Sequence, residues 1–372
     1  MKSKFTFMLL LFCMISIAQD KIYVHTATTD NSSGNITYIN HPDLNGNPGA
    51  GIVYVHTWNA NGLPSVYNNN VTGLWYNSGR NQWAIYNEID TEPIVNGSHY
   101  MVYIADDPTN VITHVSNAGN QGSFGPATTV IDNPLMNGLD PGPFAIMSHY
   151  YNPNNTYNDQ NFGFYYDTAL DKRGIYDENA GPAIPDGAAF KILIRGEGVD
   201  RFTHTATTGN ISGHTSLIDH PLLNDNPNAT FVFSHYWGVA GVDSQQDLDA
   251  VVSVYYASGF WRFYCEDQST PMPANIVFDI IVAPQDVLSV EDNEALSYQV
   301  YPNPATNMIN VEVGNTAIVT ATLYNILGQE VANFKGNETH LQQLDISGQA
   351  SGNYILKVTT KSASQSFKII KN

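Results

Sequence analysis

Short runs in which hydrophobic and polar residues alternate recur along the chain, and such runs predict β-strands. In the run from Ile52 to Trp58 the even-numbered residues share one face, on which His56 sits among apolar and aromatic side chains. Asn-Gly and Asn-Pro turn sequences separate the runs. About five to seven runs in each stretch of roughly 90 residues are typical of a small antiparallel sandwich. The predicted fold class is therefore all-β, with three tandem antiparallel sandwich-like repeats followed by a small immunoglobulin-like sandwich.

Three copies of one motif set follow each other at a constant period. Tyr76, Tyr166 and Tyr256 are equivalent positions separated by 90 residues each. The short links between copies indicate a rigid string or a compact cluster of modules. The predicted segments are a signal peptide (1–18), repeat modules (19–108, 109–198 and 199–284), a linker (285–297) and a C-terminal domain (298–372).

The first residues are typical of a secretory signal peptide. Lys2 and Lys4 precede an apolar stretch that is too short to span a bilayer of about 30 Å. Small residues at Ser16 and Ala18 predict cleavage after Ala18, with Gln19 as the new N-terminus. No other segment reaches 18 apolar residues, so the sequence predicts no transmembrane segment.

Composition favours an extracellular β-protein. Only 13% of residues are charged, whereas the chain holds 29 Gly and 22 Tyr. The net charge is −19 with no basic stripe, which argues against binding to nucleic acid or to anionic membrane surfaces. Signal cleavage would leave Cys265 as the only cysteine, which excludes an intramolecular disulfide in the mature chain. We interpret Cys265 as a small buried apolar residue rather than a nucleophile.

The C-terminal 75 residues carry a distinct series of motifs. They are Tyr-Pro-Asn-Pro from Tyr301, Leu-Tyr-Asn-Ile-Leu-Gly-Gln from Leu323, Ser-Gly-Asn-Tyr-Ile-Leu-Lys-Val from Ser351, and a final Lys-Ile-Ile. This combination resembles the type A C-terminal sorting domain of the bacterial type IX secretion system. The resemblance implies that the tail engages the type IX machinery, directs translocation across the outer membrane and is then normally removed. The expected location is therefore extracellular, with the cargo either released or attached to the outer-membrane surface.

The repeats have a resemblance of their own. Copy three carries His204, the sequence Asn-Ile-Ser-Gly from Asn210, Asp-His-Pro from Asp219 and Asn-Pro-Asn-Ala from Asn226. This pattern is similar to a module of about 90 residues in uncharacterised secreted bacterial proteins. Copy two departs from it, with Asn133 in place of the turn histidine. The resemblance implies no particular activity.

The repeated histidines are one candidate functional set. Three of them per copy could form a zinc or copper site, because imidazole suits both metals and three ligands leave an open position. The alternative is that the strand histidines are hydrogen-bonded core residues and the turn histidines are held by the following proline. No His-x-His pair supports a metal, so we favour the structural role and predict no metal and no cofactor. The six histidines are His25, His41 and His56 in copy one, and His204, His220 and His235 in copy three.

Aromatic residues are the second candidate set. Where two aromatic residues are adjacent in a strand, one of them faces outward. Outward rings could form stacking platforms for sugars, with Asn and Asp supplying hydrogen bonds, while the alternative is ordinary core packing. The candidate ligand-binding residues are Trp58, Trp75, Tyr76, Tyr165, Tyr166, Trp237, Tyr255 and Tyr256.

The sequence carries no recognisable catalytic motif. Gly-x-Ser-x-Gly, His-Glu-x-x-His, a nucleotide-binding glycine loop and an Asp-x-Asp-x-Asp-Gly calcium loop are all missing. Three similar modules favour multivalent binding over a single catalytic site. The sequence therefore predicts a secreted or cell-surface, non-enzymatic, adhesin-like protein whose ligand is a glycan or another surface polymer. The alternatives are a secreted metal-dependent hydrolase that uses the repeat histidines, and a purely structural surface protein.

Overall fold

The computed structural model describes residues 20–59, 66–139, 144–179, 181–195, 201–238, 245–283, 298–313, 317–325, 328–336, 339–360 and 364–372. The expected signal peptide with its cleavage site at Ala18 and Gln19, and the expected linker at 285–297, lie outside these residues. The chain divides into two compact units, residues 1–285 and 286–372. Strands dominate the described residues of both units, and the only helical element among them is a 3₁₀ turn at Pro108–Asn110, which confirms the all-β prediction.

Each repeat module contributes seven strands, in the same order, to the described part of the first unit. Module 1 holds β1 (Lys21–Thr26), β2 (Ser32–Ser33), β3 (Ile36–Tyr38), β4 (Ile52–Thr57), β5 (Thr72–Asn77), β6 (Gln82–Asn87) and β7 (His99–Ile104). Module 2 holds β8 (Val111–Val115), β9 (Gln121–Gly122), β10 (Gly125–Val130), β11 (Phe144–Tyr150), β12 (Phe162–Asp167), β13 (Lys172–Asp177) and β14 (Ala189–Arg195). Module 3 holds β15 (Arg201–Thr205), β16 (Ile211–Ser212), β17 (Thr215–Ile218), β18 (Phe231–His235), β19 (Val252–Ala257), β20 (Phe260–Cys265) and β21 (Val277–Val282).

Within each module the strands form two antiparallel groups. The first, seventh and fourth strands make one group, in the orders β1-β7-β4, β8-β14-β11 and β15-β21-β18. The second, third, sixth and fifth strands make the other, as in β2-β3-β6-β5. We propose that 19–108, 109–198 and 199–284 are the module boundaries, because each range encloses one complete set of seven strands.

The sheets continue from one module into the next. Strand β5 of module 1 pairs in parallel with β11 of module 2, and β19 of module 3 pairs in parallel with β4 of module 1. A parallel bridge between Phe164 and Tyr236 joins β12 of module 2 to β18 of module 3. The three modules therefore close into a circle, with a first junction (modules 1 and 2), a second junction (modules 2 and 3) and a third junction (modules 3 and 1).

Closure buries the fourth strand of module 1 on both faces. Ile52 and Tyr54 pack into the core of module 1, as the alternation predicts. Val53 and Val55, on the opposite face, belong to a larger core that also contains residues of modules 2 and 3. The sequence predicted one buried face. The second arises because β4 and its equivalents β11 and β18 pack against one another.

The second unit is a separate two-sheet sandwich with its own hydrophobic core. Ile309, Val311 and Val313 alternate with more exposed residues and point into that core, as the sequence predicts. Its sheets are β22-β23-β26 and β25-β24-β27-β28. The strands are β22 (Tyr298–Tyr301), β23 (Met308–Val313), β24 (Ile318–Asn325), β25 (Glu330–Lys335), β26 (Leu341–Asp345), β27 (Gly352–Thr360) and β28 (Ser364–Lys371).

Candidate functional site at the module junctions

A backbone hydrogen bond ties the modules together at the same position of every junction. In each case the donor is the aromatic residue that ends or follows the fourth strand, and the acceptor lies in the fifth strand of the preceding module. The bonds run from Tyr151 N to Leu74 O (2.9 Å) at the first junction, from Trp237 N to Phe164 O (2.7 Å) at the second, and from Trp58 N to Val254 O (2.8 Å) at the third.

Behind each of these bonds a buried glutamate of one module meets a histidine of the next. The glutamate follows the sixth strand, and the histidine lies on the fourth strand of the neighbouring module. Because the pairing repeats around the circle, it is a property of closure rather than of a single module. The pairs are Glu88 with His149 Nδ1 (3.0 Å), Glu178 with His235 Nδ1, and Glu266 with His56 Nδ1 (3.7 Å).

Each glutamate also receives a tyrosine hydroxyl from its own module. Burial raises the pKa of these phenols above the ordinary value, and the neighbouring carboxylate raises it further, so they stay protonated and act as donors. At the first two junctions a backbone N–H of the next module is a further donor. The hydroxyl bonds are Tyr86 to Glu88 (2.9 Å), Tyr176 to Glu178 (2.7 Å) and Tyr264 to Glu266 (2.7 Å), and the backbone bonds are Asn158 N to Glu88 and Leu248 N to Glu178 (both 2.8 Å).

The third His–Glu pair is the longest of the three, and the residue beside its glutamate differs from that at the other junctions. At the second junction Gly163 leaves room for the glutamate, since a Cβ there would lie 2.6 Å from Glu178 Oε1. Ser253 of module 3 occupies the equivalent position and carries that Cβ. The 3.7 Å separation between His56 and Glu266 exceeds hydrogen-bond length, and Glu266 Oε2 has no hydrogen-bond partner among the described residues.

On the outer side of each buried pair lies a cluster of four aromatic rings, contributed by both modules. Ring centroids within a cluster are separated by 4.9 to 6.5 Å, mostly edge to face. One ring of each cluster is strongly exposed: Tyr157 (40%), Phe124 (63%) and Tyr67 (42%). The clusters are Trp75, Tyr86, Tyr151 and Tyr157 at the first junction; Phe124, Tyr165, Tyr176 and Trp237 at the second; and Trp58, Tyr67, Tyr255 and Tyr264 at the third.

The eight aromatic residues singled out from the sequence divide between these clusters and other sites. Tyr76 and Tyr256 pack against the buried Trp83 and Trp261 of their own modules. Tyr166 donates a hydrogen bond to Asp171 in the hairpin that follows it. The other five lie in the junction clusters, although Tyr165 is buried and offers no free face: they are Trp58, Trp75, Tyr165, Trp237 and Tyr255.

Sequence reasoning missed the exposed ring of every cluster. Tyr67 and Tyr157 lie 90 residues apart, so the repeat period carried a signal for them. Asp247 takes the equivalent place in module 3, which breaks the pattern. Phe124 reaches the second junction from a different loop, and its position could not be deduced from the period.

The histidines of the first strands are buried and hydrogen-bonded within their own modules. His25 bonds Thr37 Oγ1 through Nε2 at 2.9 Å, and this hydroxyl donates to Asn31 Oδ1, which also accepts the Thr28 N–H. The same chain of contacts recurs in the other modules and holds the turn after the strand. The equivalent sets are His114, Thr129 and Asn120 in module 2, and His204, Ser216 and Asn210 in module 3.

The turn histidines stack on aromatic residues of the first strands. His41 lies 4.6 Å from the ring of Tyr23, and His220 lies 3.6 Å from the ring of Phe202. Their Nδ1 atoms accept backbone N–H groups two residues on, which closes the turn. The three histidines of a copy thus have separate partners, and the described residues contain no group of three His, Cys, Asp or Glu side chains arranged to hold a metal ion.

Cys265 lies in the larger core that contains residues of all three modules. Burial raises the pKa of its thiol to about 12, so the reactive thiolate is disfavoured at neutral pH.

Acidification is expected to destabilise the repeat unit through His25, His114 and His204. Burial lowers their pKa from 6.5 to about 4, so below pH 6.5 the unfolded chain binds protons that the folded chain does not. Stability is therefore fully present above pH 6.5 and falls towards pH 4, by about 1 kcal/mol per pH unit for each histidine. Asp279, whose pKa burial raises to about 6, opposes part of this change.

One variant separates the contribution of His204 to this pH dependence from that of Asp279. In urea unfolding as a function of pH, His204→Asn should make the slope smaller by about 1 kcal/mol per pH unit between pH 6.5 and 4. Thr208→Asn, at an exposed position in the turn after the same strand, removes no titrating group, so as the control it should keep the original slope. An unchanged slope in His204→Asn would contradict the assignment.

Two solved structures that align with the chain are only distantly similar to it. A Faecalibacterium prausnitzii beta-glucuronidase aligns at 10% identity over 73% of this chain, with a TM-score of 0.17, and the chain spans 37% of that protein's length. A biofilm associated protein BSP domain aligns at 10% identity over 95% of this chain and 82% of its own, with a TM-score of 0.19. No curated protein matches the chain.

Family comparisons assign both units. Residues 299–372 match the secretion system C-terminal sorting domain, which confirms the resemblance seen in the sequence motifs and implies contact with the secretion machinery. The protein is therefore secreted or displayed at the outer-membrane surface. No helix in the described part of the chain has the length and apolar character needed to cross a membrane. Three matches at residues 7–88, 73–170 and 163–282 cover most of the remaining chain, which therefore belongs to the family described as domain of unknown function (DUF7452).

Proposed function

We propose that the repeat unit is a non-enzymatic binding protein that attaches to an extracellular polysaccharide through its junction clusters. The observation that carries the proposal is that each of the three junctions has an exposed aromatic ring packed against a buried tyrosine. Tyr67, Tyr157 and Phe124 are 40 to 63% exposed, and each packs against a ring of a neighbouring module. Flat rings held in this way suit the apolar faces of sugars.

The charge of the protein restricts the ligand. A net charge of −19 repels polyanions, whereas stacking on neutral sugar rings depends little on salt. Several weak sites on one rigid body favour a polymer, because binding at one junction raises the effective concentration of ligand at the next. A neutral polysaccharide outside the cell combines these properties.

The test is binding of the full chain to a panel of insoluble polysaccharides. Tyr67→Ala and Tyr157→Ala should each weaken binding about two- to tenfold, which is the range expected for loss of one ring contact. The double variant should bind more weakly than either. Tyr301→Ala is the matched control, since Tyr301 has the same 42% exposure as Tyr67 but lies in the sorting unit.

Retention of full binding by the double variant would contradict the assignment of the site. Failure to bind any polysaccharide in the panel would favour a purely structural role at the surface.

A further inference from the structure

A cavity of about 150 Å³ lies beside the buried His–Glu pair of modules 2 and 3. Its walls combine apolar side chains with polar groups, and two imidazoles reach it from the fourth strands of both modules. Lining residues include His149, His235, Phe162, Phe233, Leu248 and Val252.

His235 presents a bare acceptor at this cavity. Its Nδ1 is hydrogen-bonded to Glu178, whose other oxygen accepts the Tyr176 hydroxyl and the Leu248 N–H. We assign the imidazole proton to Nδ1, because the glutamate accepts every hydrogen bond that it makes. In the neutral imidazole Nε2 is then an acceptor, and it has no hydrogen-bond partner among the described residues, although the side chain is only 6% exposed.

In module 1 the equivalent imidazole has a hydroxyl partner. There His56 Nε2 is paired with Thr72 Oγ1 at 2.7 Å, and the Tyr54 hydroxyl donates to the same oxygen. Thr72 is replaced by Phe162 and Val252 in modules 2 and 3, and Tyr54 by Met147 and Phe233. All four replacements line the cavity.

In modules 2 and 3 the imidazole therefore lacks the hydroxyl partner that it has in module 1, and apolar side chains stand at the equivalent positions. An unpaired buried acceptor is unfavourable, and a donor brought in by a ligand would offset that cost.

We propose that this cavity is a binding site for a small, mainly apolar molecule that carries one O–H or N–H donor, with the donor bound to His235 Nε2. A compound of phenol size fits both the volume and the single acceptor. The site is separate from the junction clusters and does not depend on polysaccharide binding.

Phenol and toluene are suitable probes because they have nearly the same shape and differ in the donor. In calorimetric titrations of the full chain, phenol should bind about tenfold more tightly than toluene, as one neutral hydrogen bond predicts. Val252→Thr restores the hydroxyl found in module 1 with little change of volume. It should weaken phenol about tenfold and change toluene less.

Leu135→Thr, at an exposed position outside the cavity, is the control and should leave both affinities unchanged. Equal affinities for phenol and toluene, no effect of Val252→Thr, or a crystal structure grown with phenol that shows only water in the cavity would each overturn the proposal.

Discussion

Deleting residues 298–372 is expected to stop delivery of the protein to the cell exterior and to leave the repeats in the periplasm. The tail is a compact unit with its own hydrophobic core, so its removal should leave the fold of the repeats intact. Loss of secretion would then reflect loss of the sorting signal. The measurement is immunoblotting of medium, surface and periplasmic fractions, with the full chain expressed to the same level.

Two controls accompany this deletion. A periplasmic marker enzyme must stay inside the cells, and the purified truncated chain must keep the circular dichroism of the repeat unit. Secretion of the folded truncation at the level of the full chain would contradict the role of the tail.

Replacing Glu88 by alanine is expected to destabilise the repeat unit by about 3 kcal/mol or more. The substitution strands two buried donors at the first junction, the Tyr86 hydroxyl and the Asn158 N–H. It also removes the carboxylate from His149 Nδ1, which keeps the Asn158 carbonyl as its other partner. Asn158 and His149 belong to module 2, so the damage falls on the contact between modules. The free energy of unfolding by denaturant is the quantity to measure.

Glu92→Ala is the matched control because Glu92 is exposed in the same segment, and it should change stability by no more than about 0.5 kcal/mol. Glu88→Gln keeps one acceptor oxygen and should fall between the two. A loss below about 1 kcal/mol in Glu88→Ala would mean that the buried pairs do not hold the junctions together.

The features that the sequence predicted correctly are those with a local signal. Alternation identified strands such as β4 and β23, and the 90-residue period identified the modules because equivalent residues occupy equivalent places in each. The tail was recognisable because its motifs are contiguous in sequence. The buried Trp83 of module 1 and Trp261 of module 3 are also equivalent. The indole N–H of each donates to the turn carbonyl at the same place in its module, that of Asn47 or Asn226.

The junctions carried no such signal. Glu88 and His149 are 61 residues apart, so no local pattern links them. Strands of different modules pair in parallel without a short connecting turn, so no turn sequence indicates that they are neighbours. The histidine repeat was compatible with a metal site because spacing along the chain does not show which way each imidazole points in the fold. His25 and His56 instead end beside the hydroxyls of Thr37 and Thr72.

Closure of the three modules also changes how the proposed binding should be studied. The exposed Tyr157 of module 2 rests on Tyr86 of module 1, and the exposed Tyr67 of module 1 rests on Tyr264 of module 3. An isolated module would lose at least one ring of each cluster together with its buried His–Glu pair. Affinities of single modules would therefore underestimate the sites, and point variants of the full chain are the better comparison.

Residue-resolved hydrogen exchange is the most direct test of the closed circle on which the candidate sites depend. The amides to follow are those of Trp58, Tyr151 and Trp237, which form the backbone bonds between modules. In a closed circle all three exchange slowly and with similar free energies of opening, because they are released only when the repeat unit unfolds as a whole. Rapid exchange at Trp58, with protection at the other two, would show an open string and would contradict the third junction and its aromatic cluster.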